Sequence, residues 1–274
     1  MADTKRRFTP LHVDATSLPD AWFQILYRCV ETGRDFIIDR GSYTGQKRLE
    51  FDYITAHIRY PGTRPLLPQI PSQYNLPNPV AEDYLDDYVP YLMTGAMKPG
   101  ESYTYGQRMC RYPLDKSWHD FKTEINSDIL IQDPEVWEND QIVIRDGDDL
   151  FLNQIELLIW TYKNKGHRNN QMVLQVAHPT DMLLQDPPCL RAIDTRIQDN
   201  KLHFIILFRS WDLWGGFPAN LAGMQMMKEY IASEIGVDDG EMIVSTKGLH
   251  LYDYVWELAE LLRGKTIEEF REGK

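Results

Sequence analysis

Residues 187–220 constrain this chain more than any other stretch. They open Pro187-Pro188-Cys189, run through an alternating and then continuous apolar segment from Ile193 to Phe208, and close as Arg209-Ser210-Trp211-Asp212-Leu213-Trp214-Gly215-Gly216-Phe217-Pro218-Ala219-Asn220. Such a segment is stable only within a sheet. One that ends in arginine, serine and aspartate carries polar groups from a buried layer to its rim, where a pocket can form. A hairpin running from Cys189 to Arg209 would set a thiol beside a guanidinium.

The charge balance narrows the partners. With 41 acidic and 29 basic side chains the formal net charge is -12, and no basic block interrupts it. A nucleic-acid partner is therefore not expected, whereas two or three arginines in a cleft suffice for one anionic metabolite. The basic N-terminus lacks a following apolar core, and no apolar run reaches transmembrane length, so neither a secretory leader nor a membrane partner is expected. Cys29, Cys110 and Cys189 are far apart and form no CxxC pair. That usage fits a reducing cytoplasm and points away from a disulfide framework or a zinc site.

Along the chain, a helix is expected from Leu18 to Gly33, with Ser17 or Thr16 as its cap and Cys29 on its buried stripe. A short strand at 35–38 leads into a glycine-rich turn containing Arg40, Gly41 and Gly45, and a second strand is expected over 49–60. Six of the 16 prolines lie in 61–79, which predicts an ordered surface loop. Helical spacing over 81–93 places Glu82 on a helix that Pro90 would kink or end. Residues 114–149 read as polar and irregular, and Asp146-Gly147-Asp148-Asp149 as a turn capping a helix over 151–162; that turn lacks the spacing of a calcium loop, and no metal is expected. Another helix is expected over 221–235, with Met224 and Met227 as core filler. Short strands near 172–176 and 242–245, and a last helix around 255–262, complete an α+β domain with a mixed sheet packed against helices. It lacks the regular alternation of a doubly wound fold.

Several residues carry potential chemistry. Cys189 reads either as a structural thiol or as a nucleophile whose pKa the Arg209 guanidinium would lower. Arg209 and Ser210 match the oxygens of a phosphate. Asp212 either orients that arginine or caps a turn, and Gly215 and Gly216 permit close backbone approach to a flat ring. The Asn220 amide offers the donor and acceptor that N3–H and C4=O of uracil require. His250 and Tyr252, two apart on a strand, share one side; they are either satisfied core groups or contacts to a sugar hydroxyl or phosphate.

Pro187-Pro188-Cys189, residues 209–220, Glu234-Ile235-Gly236 and His250-Leu251-Tyr252 together resemble thymidylate synthase and its pyrimidine nucleotide hydroxymethylase relatives, in particular the shortened archaeal-type members. Tyr105-Gly106-Gln107-Arg108 resembles the family's YGxQWR loop in shortened form, and Arg40 its early phosphate arginine. The resemblance implies one domain over 1–274 with a divergent portion at 1–80. It also implies a cytoplasmic homodimer binding a pyrimidine nucleoside monophosphate and 5,10-methylenetetrahydrofolate.

By resemblance Cys189 attacks C6 of the base, and C5 then takes the one-carbon unit. Arg209 and Ser210 hold the phosphate with arginines from across the interface, Arg168 being the candidate. Asp212 orders the site, Asn220 reads the base, and His250 and Tyr252 contact the sugar. Three departures stand out: Leu190 follows the cysteine where histidine is usual; the family's ELLWFL glutamate helix is absent, leaving Glu82 as a substitute; and the chain ends FREGK in place of a small apolar tail. These keep three readings open: methylation of dUMP, hydroxymethylation of a pyrimidine nucleotide, and a non-catalytic nucleotide-binding homologue.

Overall fold

The computed structural model describes residues 7–39, 43–114 and 133–272. In chain order, β1 (Pro10–Ala15) leads into α1 (Leu18–Thr32), then β2 (Arg34–Ile37), β3 (Lys47–Glu50) and β4 (Tyr53–Ile58). After the proline-rich loop come α2 (Tyr84–Leu92), α3 (Tyr105–Cys110), β5 (Tyr112–Leu114), β6 (Val143–Asp146), β7 (Asp149–Leu152) and α4 (Gln154–Lys165). The C-terminal half contains β8 (Val173–Gln175), β9 (Leu190–Gln198), β10 (Lys201–Phe208), β11 (Trp211–Asp212) and α5 (Gly216–Ile235). It ends with β12 (Asp238–Thr246), β13 (Leu249–Tyr252), α6 (Trp256–Arg263) and α7 (Ile267–Arg271). The strands form a six-stranded sheet in the order β1-β4-β12-β10-β9-β8, a four-stranded sheet β11-β13-β3-β2, and a three-stranded sheet β5-β7-β6. Pairing is parallel between β1 and β4, between β10 and β12 and between β11 and β13, and antiparallel elsewhere. This is the expected α+β domain with a mixed sheet against helices.

The apolar segment of the central stretch divides at Asp199 and Asn200, whose φ values of 50° and 58° make a two-residue turn of the kind that matches strand twist. The expected hairpin forms around it. Along β10, Leu202, Phe204, Ile206 and Phe208 are buried while Lys201, Ile205 and Leu207 face outward. The inward row meets α5, which is apolar nearly all round and buried between α1, α2, α4 and the sheet. Met224 and Met227 are core residues as expected. Trp22 of α1 donates its indole N–H to Leu213 O at 2.9 Å, anchoring the first helix onto the segment that leads into α5.

Several expectations change. The strand expected over 49–60 is two strands in different sheets, because the chain leaves β3 at Phe51 and re-enters the large sheet at Tyr53. Helix α2 runs through Pro90 without ending there. The acidic turn at 146–149 joins β6 and β7, with Gly147 at φ 58°, and caps nothing; Asn153 caps α4 by accepting from Ile155 N and Glu156 N. Phe151 therefore belongs to a strand. Cys29 is buried as expected, and residues 61–79 form the expected loop, held to α5 by an Arg64–Glu229 pair at 2.7 Å. Among the described residues no helix is long and apolar enough to cross a membrane.

The 105–108 segment, expected as a loop, is the start of a helix: Thr104 caps α3 by accepting from Gln107 N at 2.8 Å. Gly106 lets α3 press against the end of α2, since a Cβ there would collide with the carbonyl oxygens of Tyr91, Leu92 and Thr94. Gly106→Ala is predicted to destabilise the protein by roughly 2–3 kcal/mol, the cost of overpacking against backbone that cannot yield. A urea unfolding midpoint equal to wild type would contradict this.

Candidate active site

Three separated segments meet at one cleft of about 390 Å3, inside the usual ~300–1,000 Å3 range for small-molecule sites. The loop before β9 contributes Gln185, Asp186 and Cys189; the end of β10 and β11 contribute Arg209, Ser210, Trp211 and Asp212; and β13 contributes His250 and Tyr252. Ile38 and Tyr43 close the remaining side. The sheet explains the meeting. Phe208 pairs with Leu190 at the open end of the hairpin, and the next amide, Arg209 N, donates to Cys189 O at 2.8 Å. Asp212 pairs with His250 in the parallel β11–β13 ladder.

The guanidinium of Arg209 folds back on the thiol-bearing loop. Its Nε donates to Pro187 O and Pro188 O, both at 3.2 Å, and Nη2 to Pro187 O at 2.5 Å and Asp186 Oδ1 at 3.1 Å. Cys189 lies half-buried beside it. Burial pushes its thiol above the ordinary range and Asp186 adds to this, so the opposing pull of Arg209 and Arg191 does not prevail. The guanidinium acts in the expected direction, but desolvation outweighs it. In the free protein near neutral pH the group is a thiol.

A second layer fixes the loop. Asp181 is 1% exposed and accepts from Arg108 Nη2 at 2.8 Å, Arg191 Nη1 at 3.2 Å and His178 N at 2.8 Å. Burial alone would raise its pKa; these donors overcome it and hold the carboxyl below the usual range. The register of β9 against β10 shifts at Arg191, a bulge between the pairs Ala192–Leu207 and Leu190–Phe208. Bulges redirect side chains, and Arg191 reaches both Asp181 and Pro188 O, the latter at 3.2 Å. Tyr105, near the same loop, accepts from Leu190 N at 3.3 Å through its hydroxyl. The Asp181 anchor is not identified from sequence, though His178-Pro179-Thr180-Asp181 carries the spacing of a capping box.

On the other wall, His250 is 3% exposed. Its Nδ1 lies 2.9 Å from Gly248 O, so the ring must donate there, and burial keeps it neutral by lowering its pKa. Nε2 is then an acceptor, and it is buried with no partner. A ligand hydroxyl fits that position; a phosphate or carbonyl oxygen does not. The ring of Tyr252 stands edge-on to His250 at 4.6 Å and beside Tyr43 at 4.7 Å, which confirms that the two strand residues share one side. Burial pushes the Tyr252 phenol up to about 12.

Asp212 takes the capping alternative. It accepts from Trp214 N, Gly215 N and Gly216 N at 3.2, 3.0 and 2.8 Å, closing the start of α5 and engaging the Gly216 amide. Asn220 is not itself among the residues lining this cleft, but it is partly exposed and bonded to one that is: its Oδ1 accepts from Trp211 Nε1 at 2.9 Å and its Nδ2 donates to Tyr88 OH at 2.6 Å. Arg168 is exposed in the turn after α4 and is not among the residues lining the cleft. Glu82 lies in a different cavity, between the proline-rich loop and α2. Arg40 falls outside the described residues. A larger cavity of about 780 Å3, also lined by Arg209 and Ser210, gathers Arg48, Arg191 and Lys247 with Glu50 and Asp52, and Arg48 is paired with Glu50 at 2.6 Å.

A family model described as thymidylate synthase matches residues 104–270, and the chain belongs to the thymidylate synthase family, within the superfamily that also includes the hydroxymethylases. Among its relatives, a Methanosarcina mazei protein named "putative thymidylate synthase" is 27% identical over 250 residues, spanning 90% of this chain and 92% of that protein. One of the same name from Methanocaldococcus jannaschii is 25% identical over 74% of this chain and 78% of its own length. The thymidylate synthase of Listeria monocytogenes is 30% identical over 86 residues, 31% of this chain and 27% of that protein. The archaeal-type resemblance thus extends along most of the chain.

Because the thiol is raised above its ordinary range, alkylation of Cys189 by iodoacetamide should be slow at pH 7.5 and still climbing at pH 9.5. Asp186→Asn removes an anion that disfavours the thiolate and should speed alkylation at pH 7.5 roughly two- to fivefold, the scale of a partly screened charge. Peptide mapping of labelled Cys189 reads the rate; a slower variant would reverse the sign assigned to Asp186.

Proposed function

We propose that the cleft binds a pyrimidine nucleoside monophosphate and that Cys189 adds to C6 of its ring, in transfer of a one-carbon unit to C5 of dUMP. The convergence of Cys189, Arg209, Ser210, Asp212, His250 and Tyr252 on one cleft carries this reading. The sugar goes toward His250, whose partnerless Nε2 takes a hydroxyl proton. The phosphate goes toward Ser210 and Arg209, whose Nη1 makes no hydrogen bond among the described residues. Asn220 retains one lone pair and one N–H for the base edge.

For addition, the Cys189 thiol first loses its proton to solvent. The S–C6 bond then forms as the C5=C6 π pair moves onto C5 and O4, where the free Asn220 N–H offsets the developing charge. Arg209 beside the sulfur favours the thiolate against burial. Asp212 fixes the backbone between β11 and α5 and so holds Trp211 and Asn220 in place; its role is positional. When bound, 5,10-methylenetetrahydrofolate supplies the one-carbon unit, and the faces of Tyr43 and Tyr252 fit its flat conjugated ring.

Homodimerisation belongs to the same reading. Ile205, Leu207 and Ile243 are 39%, 46% and 36% exposed on the outward face of the large sheet, an apolar surface suited to a second copy. Arg40 and the partner subunit's Arg168 would then join the phosphate. A second reading, hydroxymethylation of the same nucleotide, is favoured by the absence of any glutamate among the described lining residues, which leaves fewer groups to order water and protons.

Incubating the protein with dUMP and 5,10-methylenetetrahydrofolate should give dihydrofolate absorbance together with a methylated nucleotide, and Cys189→Ala should lower turnover by more than a thousandfold. A hydroxymethylated product without dihydrofolate would establish the second reading. No product would overturn the reaction, and full turnover by Cys189→Ala would overturn the nucleophile.

A further inference from the structure

We propose that Trp211 sets the base selectivity of this site by holding the Asn220 amide in one orientation, with Tyr88 holding its other end. This rests on the reading in which Asn220 meets the base. An amide side chain that can flip presents its oxygen or its nitrogen equally well to a given place. Uracil offers a donor at N3 and an acceptor at O4; cytosine offers an acceptor at N3 and a donor at its exocyclic amine. A free amide serves both edges, and a pinned one serves a single edge.

The pinning follows from what each partner can do. An indole N–H only donates, so the atom 2.9 Å from Trp211 Nε1 must be the amide oxygen. Flipping Asn220 would set N–H against N–H, losing the bond and stranding a buried donor. The nitrogen end donates to Tyr88 OH at 2.6 Å.

Neither partner can move aside. Trp211 is stacked on Phe208 with ring centroids 3.8 Å apart and 8° between ring planes, and the Phe217 ring lies against it at 4.6 Å. Tyr88 fits against Gly223, three residues beyond Asn220 on α5, where an added Cβ would lie 2.7 Å from its ring carbons. Burial also pushes the Tyr88 phenol up, which keeps the hydroxyl protonated. Two aromatic residues from different segments thus clamp one amide.

The test compares kcat/KM and binding for dUMP and dCMP in wild type, Trp211→Phe, Tyr88→Phe and Asn220→Ala. Phenylalanine keeps a ring at each position and deletes only the polar hydrogen. The dUMP preference should fall about tenfold in Trp211→Phe, the worth of one buried hydrogen bond, chiefly through a gain in dCMP binding. Tyr88→Phe should move it the same way by less. A merely structural role would weaken both nucleotides together.

If Asn220→Ala abolishes the preference while both phenylalanine variants keep the wild-type ratio at wild-type melting temperature, the clamp is overturned and the base-reading role stands. Should Trp211→Phe not fold, an unchanged ratio in Tyr88→Phe overturns it. If Asn220→Ala leaves binding and ratio intact, or the wild type binds neither nucleotide, the reading beneath the inference fails with it.

Discussion

Asp181 receives a guanidinium from α3, another from the start of strand β9 and the amide of His178, and the thiol-bearing loop depends on that junction. A carboxylate so buried is stable only while its donors are in place, because an unpaired buried charge is far more costly than a missing packing contact. Arg191 belongs to both layers: it binds Asp181 at one contact and the Pro188 carbonyl at another. The position of Cys189 is therefore set by electrostatics behind it and by the rigid Pro187-Pro188 approach. Few degrees of freedom remain for the loop to lose when a ligand arrives.

The opposite wall is built by the backbone. Strands β11 and β13 are parallel neighbours, Asp212 engages three successive amides at the head of α5, and the helix behind it is buried over most of its length. Polar groups at the cleft thus sit on elements whose own hydrogen bonds are already satisfied. Among the described residues lining the cleft, the buried atom without a partner is His250 Nε2, waiting for a donor. An orphan acceptor in an otherwise satisfied wall marks where a ligand completes the structure.

Much of this was legible in the sequence because it follows from periodicity and adjacency. The α1 stripe with Cys29, the hairpin that joins Cys189 to Arg209, and the shared side of His250 and Tyr252 all derive from residue spacing. What escaped the sequence was decided by tertiary partners. Strands β6 and β7 escape because each has only four residues and is half-exposed, too short for alternation to register. Pro90 sits within α2 against expectation because proline fixes φ at a helical value and the tertiary setting tolerates its missing donor. The thiol pKa depends on how much water is displaced, which no local motif encodes. The clamp on Asn220 joins Tyr88 to a residue 132 positions away, beyond any window-based reading.

The two-residue turn at Asp199 and Asn200 lies at the far end of β9 and β10, roughly 25 Å from the cleft at ~3.3 Å per residue. Because the paired strands carry its register unbroken as far as Ala192 and Leu207, with one bulge at Arg191 beyond, the facing of Cys189 against Arg209 depends on a bend that touches neither. One residue added there would turn every side chain of one strand to the opposite face. The apolar row of β10 would lose α5, and thiol and guanidinium would part company. Evolution can vary the residues of that bend only among those that tolerate positive φ, and their number is held as tightly, a length constraint invisible to any inspection of the cleft itself.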